Sequence, residues 1–311
     1  MDLFCFPKTY LGRFIFIVVT FCLFASCASV PDTKLNGAPD PTPPLPAGNT
    51  LIVAGDIGDC RNVAAADSKA EATAKLVEAL PGLVLTLGDN TYPVGAESEF
   101  TDCYAPTWGR FKQRTRSSPG NHDYLTLNAD PYYDYFGALA GPDRHGYYSF
   151  DYANRHIISL NSNIDAENDS KQMQWLRQDL AGNKARCTLA YWHHPVYSSG
   201  NRGNNAKMKD LWNTLHQAGA DVVLSGHDHH YERFAPQDTD GNADQNGMRE
   251  FLIGTGGVGM VPVGKIQKNS ESRNDKDHGV MKFTLRAKDY SWEFMPIAGG
   301  AFSDSGIGVC H

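Results

Sequence analysis

Five short polar blocks constrain the fold of this chain more than any other feature of its sequence. Four of them begin with glycine, and at least four follow an apolar run that is typical of a buried strand. In open α/β sheets, the loops beyond the carboxyl ends of the strands meet in one crevice. We therefore expect these side chains to converge. The blocks are Gly55-Asp56-Ile57-Gly58, Gly88-Asp89-Asn90-Thr91-Tyr92, Gly120-Asn121-His122-Asp123, His193-His194-Pro195 and Gly226-His227-Asp228-His229.

Strand and helix patterns alternate from Thr50 onwards, which predicts an α/β fold in one domain. The final third lacks helical patterns between its apolar runs, so we expect an antiparallel component to close the fold. The predicted strands are 51–54, 83–87, 147–152, 157–160, 188–192, 222–225, 251–253, 281–285 and 290–294. The predicted helices are 64–80, 100–111, 171–180 with Ser170 as its cap, and 205–218.

The composition is that of a globular protein, with 311 residues of which 41% are hydrophobic and 20% charged. The formal net charge is -7, and the basic cluster at residues 110–116 is sparse. Because nucleic-acid backbones are bound by basic surfaces, we do not expect a DNA or RNA polymer as partner.

Residues 1–27 have the composition of an export signal. Lys8 and Arg13 precede an uncharged run at residues 14–24, which is shorter than the ~18 residues of a spanning helix. We favour a lipoprotein-type signal peptide, because Phe24-Ala25-Ser26-Cys27 resembles a bacterial lipobox whose cysteine carries lipid. The alternatives are ordinary cleavage after Ala28, which would give a periplasmic or secreted protein, and an uncleaved N-terminal anchor.

A proline-rich linker is predicted at residues 28–49, followed by a catalytic domain at residues 50–311. The expected location is the bacterial-type cell envelope, the periplasm or the medium. Contact with a membrane is expected only through a lipid or an N-terminal anchor.

The predicted domain contains an even number of cysteines, namely Cys60, Cys103, Cys187 and Cys310. In an oxidising compartment such a set predicts two disulfides, and three pairings are possible. We favour Cys60 with Cys103, because each lies in a loop shortly after a strand that carries a candidate ligand, which leaves Cys187 with Cys310. The wide spacing of the four disfavours a thiolate metal site.

Each polar block has an ordinary structural explanation when it is considered alone. An Asp or Asn after a strand usually caps a turn, and a single His is more often hydrogen-bonded than a ligand. Together, however, the blocks bring oxygen and nitrogen donors for two cations to the predicted strand ends. The seven candidate ligands are Asp56, Asp89, Tyr92, Asn121, His193, His227 and His229.

The order of the blocks matches the pattern GDxG, GDxxY, GNH[DE], VxxH and GHxH, with Ala190 in place of Val. From Thr50 onwards the chain thus resembles the purple acid phosphatases, a group of calcineurin-like metallophosphoesterases, and Tyr231-Glu232-Arg233 adds to the likeness. The resemblance implies a four-layer α-β-β-α sandwich with mixed sheets. It also implies a dinuclear metal centre bridged by Asp89. The first metal would be bound by Asp56, Asp89, Tyr92 and His229, and the second by Asp89, Asn121, His193 and His227.

The first block departs from that of many relatives in the wider group, which carry a histidine where this chain has Gly58. Tyr92 is expected to supply the missing ligand as a phenolate. Because a hard trivalent ion is the best partner for a phenolate, we expect Fe(III) at the first position. Fe(II), Zn or Mn is expected at the second.

The resemblance further implies hydrolysis of small phosphomonoesters by attack of a metal-bound hydroxide. His122 is the expected proton donor, and Asp123 is expected to orient it. The loop at residues 198–205 lacks the histidines that many relatives place near the substrate. His194 or Arg202 is expected to contact the substrate instead, unless Arg202 is only a solvated charge.

Two other functions are compatible with these residues. A phosphodiesterase or nucleotidase could use the same metal core, since the shape of the pocket decides between the substrates. A surface-anchored binding protein with an inactive site would be expected to lack at least one ligand, whereas all seven positions carry a suitable residue.

Overall fold

The structure is a computed structural model, and it describes residues 42–311. The predicted signal peptide at residues 1–27 and the predicted linker up to residue 41 lie outside the described residues. No helix within residues 42–311 is long and apolar enough to cross a membrane.

Strands in the described residues form two mixed sheets. The strands are β1 Thr50–Ala54, β2 Leu83–Leu87, β3 Thr115–Ser118, β4 Tyr148–Tyr152, β5 Arg155–Ser159, β6 Cys187–Tyr191, β7 Val222–Ser225, β8 Tyr231–Phe234, β9 Arg249–Ile253, β10 Ser270–Asn274, β11 Gly279–Leu285, β12 Asp289–Pro296 and β13 Ser305–Val309. The first sheet has the order β13-β12-β11-β1-β2-β3, and the second has the order β10-β8-β9-β7-β6-β5-β4. Strands β1, β2 and β3 run parallel, as do β5, β6, β7 and β9. The other pairings are antiparallel.

The α-helices are α1 Lys69–Glu78, α2 Glu97–Glu99, α3 Asp130–Phe136, α4 Lys171–Gly182 and α5 Lys209–Gln217. Helix α2 is a single turn that continues into a π-helical segment, Phe100–Tyr104. Two helices begin at a serine whose hydroxyl accepts a backbone N–H: Ser68 caps α1, and Ser170 caps α4 as predicted.

The second sheet is buried on both faces, and alternate residues of its central strands point to different layers. Ile157, Leu189 and Leu224 join the core between the two sheets, where the rings of Phe251 and Phe283 lie 5.2 Å apart. Their neighbours Ile158, Ala190 and Val223 instead pack with residues of α4 and α5. Helix α1 packs against β11 of the first sheet. The predicted four-layer α-β-β-α sandwich is therefore confirmed.

Several elements were not predicted, because tertiary contacts rather than sequence pattern stabilise them. Strand β3 is an example, since its residues are polar but buried. Its serines find partners across the core: Ser117 Oγ lies 2.9 Å from Tyr132 Oη, and Ser118 Oγ donates to the carbonyl of Leu160. Strands β8, β10 and β13 and helix α3 were also missed. The predicted helix at 100–111 is instead a π-helical segment and a 3-10 segment, Trp108–Arg114.

The described end of the predicted linker contacts the domain. Leu45 packs against the core, and the carbonyl of Pro43 accepts a hydrogen bond of 2.7 Å from the Arg116 guanidinium. The backbone N–H of Leu285 donates to the carbonyl of Asn49. Arg116 is buried in β3 and needs an acceptor there, which gives Pro43 a structural role.

Two disulfides join Cys60 to Cys103 and Cys187 to Cys310, with Cα atoms 5.8 Å and 5.4 Å apart. The first connects the loop after β1 with the π-helical segment. The second connects the start of β6 with the residue that follows β13. The favoured pairing is confirmed.

We expect Leu224→Ala to lower the free energy of unfolding by about 2 to 5 kcal/mol, because its fully buried side chain lies between the sheets. Leu127→Ala is the matched control, since that leucine is 79% exposed and should change stability by about 0.5 kcal/mol or less. Urea unfolding followed by circular dichroism measures both. Equal effects would contradict the assigned core.

Candidate active site

Each of the five polar blocks follows a strand that ends in a parallel part of its sheet. Asp56, Asp89, His193 and His227 each stand two residues beyond the end of β1, β2, β6 and β7. Asn121 follows β3, the strand that the sequence pattern missed. The structure brings all seven predicted ligand side chains together in two adjoining groups of donor atoms.

Tyr92 lies at the centre of the first group of donor atoms. Its phenol oxygen is 2.8 Å from Asp56 Oδ1, 3.0 Å from Asp89 Oδ2 and 3.3 Å from His229 Nε2. His229 Nε2 also lies 3.5 Å from Asp56 Oδ1. Three oxygen atoms and one imidazole nitrogen thus face each other.

His193 lies at the centre of the second group. Its Nε2 is 3.1 Å from Asn121 Oδ1, 3.1 Å from His227 Nδ1 and 3.3 Å from Asp89 Oδ2. Asp89 Oδ2 therefore belongs to both groups. Its other oxygen, Oδ1, accepts the backbone N–H of His122 at 2.7 Å.

The donor spacing fits two cations. Protein oxygen and nitrogen ligands lie about 2.0 to 2.2 Å from ions such as Zn²⁺, so neighbouring donors around one ion are ~2.8 to 3.6 Å apart. The distances within both groups, from 2.8 Å to 3.5 Å, fall in this range. Carboxylate, phenol, amide and imidazole donors suit borderline and hard ions.

Backbone carbonyls set the orientation of two of these histidines. His193 Nδ1 lies 2.8 Å from the carbonyl of Leu87, and His229 Nδ1 lies 3.1 Å from the carbonyl of Gly259. Because a carbonyl only accepts, each Nδ1 carries the hydrogen and each Nε2 faces the donor group. Sequence analysis missed these acceptors, because a backbone carbonyl leaves no signal in side-chain identity.

The backbone at the candidate ligands is unusual. Asp56, Asp89 and His227 adopt positive φ angles of 62°, 48° and 76°, which non-glycine residues seldom do. Such conformations persist where the surrounding structure enforces them, and they cluster at functional sites. These candidate ligands themselves, rather than only their glycine neighbours, thus make the sharp turns off the strands.

The glycines of the blocks mainly allow close approach. A Cβ atom on Gly120 would lie 2.1 Å from Asp89 Oδ1, and one on Gly226 would lie 2.6 Å from Asp56 Oδ2. Of the four glycines that begin blocks, Gly88 has a positive φ, at 83°. The other three, Gly55, Gly120 and Gly226, do not adopt a positive φ.

Burial and neighbouring charges perturb the ionisation of this cluster. Burial raises the pKa of Tyr92 well above its usual value, and the carboxylates of Asp56 and Asp89 raise it further. Burial also opposes ionisation of Asp89, but the charge of His193 holds the pKa of this carboxyl below its usual range. A phenolate at Tyr92 thus needs a strong positive charge beside it.

His122 faces the shared carboxylate. Its Nδ1 lies 2.6 Å from the carbonyl of Pro93, and its Nε2 lies 3.9 Å from Asp89 Oδ2. The Pro93 carbonyl, which sequence analysis also missed, orients this ring, whereas Asp123 was expected to do so.

Asp123 instead connects two loops of the site. Its carboxylate accepts hydrogen bonds from the backbone N–H of Gly120 at 2.8 Å and from Asn90 Nδ2 at 2.9 Å. Burial, reinforced by Asp89, raises the pKa of Asp123 to about 7. This residue therefore positions the loops after β2 and β3, and the expected contact with His122 is not formed.

The two candidate substrate contacts lie beside His227. The rings of His194 and His227 have centroids 4.3 Å apart, and His194 Nδ1 lies 2.8 Å from Ser162 Oγ. Arg202 is exposed, and its guanidinium donates to the carbonyl of His227. Ser162, in the loop after β5, had no motif that could have identified it.

A family model described as calcineurin-like phosphoesterase matches residues 49–231. Together with the fold and the site, this match shows that the chain belongs to the calcineurin-like phosphoesterase family. Within it, the chain is similar to the purple acid phosphatases, as the resemblance predicted.

The similar proteins include two from Arabidopsis thaliana. Purple acid phosphatase 15 is 28% identical over 221 residues, which are 59% of this chain and 40% of that protein. Purple acid phosphatase 22 is 28% identical over 240 residues, which are 70% of this chain and 52% of that protein. The chain thus spans about half the length of these relatives.

A purple acid phosphatase from yellow lupin seeds has a similar structure. The TM-score is 0.69 at 19% identity, and the match covers 85% of this chain and 55% of that one. At this identity the likeness shows the fold alone.

We expect Gly120→Ala to weaken metal binding about 10-fold or more, because the new methyl group would displace the Asp89 carboxylate. Gly182→Ala is the control, since a Cβ there meets nothing within 4 Å. Calorimetric titration with Zn²⁺ measures affinity, and circular dichroism verifies folding. Unchanged affinity in a folded Gly120→Ala variant would contradict the assigned ligand.

Proposed function

We propose that this protein is an exported phosphatase that hydrolyses small phosphomonoesters at a dinuclear metal centre. The observation that supports this most directly is the position of Asp89 Oδ2, 3.0 Å from Tyr92 Oη and 3.3 Å from His193 Nε2. One carboxylate oxygen shared by two donor groups is the arrangement expected of a bridging ligand. Asp56, Asp89, Tyr92 and His229 would hold the first metal, and Asp89, Asn121, His193 and His227 would hold the second.

The donor atoms differ between the two positions, which supports different metals. The first group contains three oxygens, including the phenol, and suits Fe(III); the second contains two imidazoles and suits Fe(II), Zn or Mn. Two such ions, when bound, activate water and neutralise the charge of the phosphoryl group. Metal analysis and the visible absorbance of the purified protein test the Fe(III)–phenolate assignment.

His122 is proposed as the proton donor to the leaving oxygen. Because Nδ1 donates to the carbonyl of Pro93, the opposite nitrogen faces the shared carboxylate of Asp89. In the protonated ring, Nε2 would carry its hydrogen towards the space next to Asp89. Asp123 supports this arrangement indirectly, by connecting Gly120 with Asn90. His194 and Arg202 are proposed to contact the substrate beside His227.

We also propose that the chain is exported as a lipoprotein. A signal peptide at residues 1–27 and a linker after it would place the domain outside the cytoplasm, where its two disulfides are expected to persist. Mass spectrometry of the mature N-terminus tests this proposal. A lipid on Cys27 would support it, and an unmodified Met1 would refute it.

We expect Asp89→Asn to lower kcat for p-nitrophenyl phosphate about 100-fold or more, because both metal positions lose a charged ligand. Asp240→Asn, at an exposed carboxylate, is the matched control with wild-type rates. The same samples are assayed with bis(p-nitrophenyl) phosphate, a diester. Wild-type turnover by Asp89→Asn would refute the site, and faster hydrolysis of the diester would favour a phosphodiesterase.

The effect of His122→Asn should depend on the leaving group. General acid catalysis is worth roughly 100- to 10,000-fold when the leaving alkoxide needs a proton, and little when it does not. We therefore expect a large loss of kcat with an alkyl phosphate and a small loss with 2,4-dinitrophenyl phosphate. Equal losses with both substrates would show that His122 is not the acid.

A further inference from the structure

Three buried carboxylates surround the start of the loop that carries Arg202. Asp228 lies in the loop after β7, Glu232 in β8 and Glu250 in β9, and all three are at most 3% exposed. We call these three residues the carboxylate clamp. The loop that they contact, residues 196–202, begins directly after His193-His194-Pro195.

Glu250 binds the first two residues of the loop. One of its oxygens, Oε1, accepts the backbone N–H of Val196 at 2.9 Å, and Oε2 accepts that of Tyr197 at 3.0 Å. Ser225 at the end of β7 donates a further hydrogen bond to Oε1. The glutamate thus ties the loop to the second sheet.

Asp228 and Glu232 bind the next two residues. The hydroxyl of Ser198 donates to Asp228 Oδ2 at 2.5 Å. Ser199 donates its backbone N–H to Glu232 Oε2 at 2.8 Å and its hydroxyl to Oε1 at 2.5 Å. Gly200 follows, where a Cβ atom would lie 2.4 Å from Asp228 Cγ. A side chain at this position would therefore displace the carboxylate.

Five donors on four consecutive residues therefore face three buried carboxylates. Burying a carboxylate is unfavourable unless its oxygens accept hydrogen bonds. The donors of the loop must therefore stay next to the carboxylates, which fixes the path of the loop. On its other side, Ser199 Oγ accepts the backbone N–H of Gln267 at 2.9 Å, and its carbonyl accepts that of Gly264 at 2.7 Å. The loop is thus held from both sides.

Arg202 lies three residues beyond Ser199. Its guanidinium donates a hydrogen bond to the carbonyl oxygen of His227 and lies 3.3 Å from Nδ1 of the same residue, the nitrogen that faces the second donor group. The guanidinium is exposed and stands beside the second donor group. Its planar fork of N–H groups matches the oxygens of a phosphoryl group.

We propose that the carboxylate clamp positions Arg202 to bind a non-bridging oxygen of the substrate's phosphoryl group. The proposal rests on the proposed phosphatase function of the same site. In this proposal Asp228, Glu232 and Glu250 are positioning residues: they do not contact the substrate, and they affect its binding by holding the loop that carries Arg202.

The test compares two serines that donate to the same carboxylate. Ser199 and Ser270 both donate their hydroxyls to Glu232 Oε1, but only Ser199 lies on the Arg202 loop. Ser199→Ala and the matched control Ser270→Ala therefore remove the same kind of hydrogen bond. The readouts are kcat and KM for p-nitrophenyl phosphate and the affinity for inorganic phosphate, measured by calorimetry on the metal-loaded protein.

We expect Arg202→Ala to raise KM and the Kd for phosphate roughly 10- to 100-fold, the effect of losing a charge-assisted hydrogen bond. Ser199→Ala should raise both about 3- to 10-fold with kcat within about 2-fold, because the arginine is displaced rather than lost. Ser270→Ala should leave both within about 2-fold. The double variant Ser199→Ala/Arg202→Ala should bind phosphate no more weakly than Arg202→Ala.

Equal effects of the two serine substitutions, or full additivity in the double variant, would overturn the proposal. If Ser199→Ala does not fold, Ser198→Ala removes the hydroxyl that binds Asp228 and takes its place. The phosphate titration separates this inference from the proposed function. An inactive wild-type protein whose phosphate affinity still depends on Arg202 and Ser199 would refute the function and support the clamp.

Discussion

The contacts of the Asp89 carboxylate determine how the site is built. One oxygen accepts the backbone N–H of His122, while the other faces both Tyr92 and His193. These contacts require the loops after β2, β3 and β6 to approach within van der Waals distance. The close approach is possible because Gly120 has no side chain, and because Asp89 itself adopts a positive φ of 48°. Strain of about 1 to 3 kcal/mol at such a residue persists only where its surroundings enforce it.

Local sequence carried enough information to predict which side chains converge at the site, but not which groups hold them in place. The candidate ligands stand next to strand ends, and both the apolar runs and the polar blocks are short-range patterns. Strand β3 is the exception: its four residues are polar, and they are buried because Tyr132 and the carbonyl of Leu160 satisfy two of its hydroxyls. These partners lie far along the chain. A single sequence without the fold therefore contains no pattern that identifies them.

Local sequence also did not predict which group orients the His122 ring. His122 was expected to be oriented by its neighbour Asp123, yet the carbonyl of Pro93 forms that contact, from a loop 29 residues away in sequence. Asp123 turns to Gly120 and Asn90 instead. Adjacent residues on a tight turn point in different directions, so adjacency alone is weak evidence for contact. Residue type predicted that a carboxylate would organise the site, whereas only the fold determined which loops it connects.

The donor groups and the carboxylate clamp both contain buried carboxylates, which are stabilised by different means. Asp56 and Asp89 face the imidazoles and the phenol of the two donor groups, where a bound cation would balance their charge. Glu232 and Glu250 face hydrogen-bond donors of the adjacent loop. Burial raises the pKa of Glu250 to about 8. At Glu232 burial also favours the neutral form, but bonds from His230 and Ser199 hold its pKa below its usual range. The backbone N–H groups of Val196 and Tyr197 and the hydroxyl of Ser225 oppose that rise in the pKa of Glu250, so the bonds that hold the loop also favour the charged form of this carboxyl.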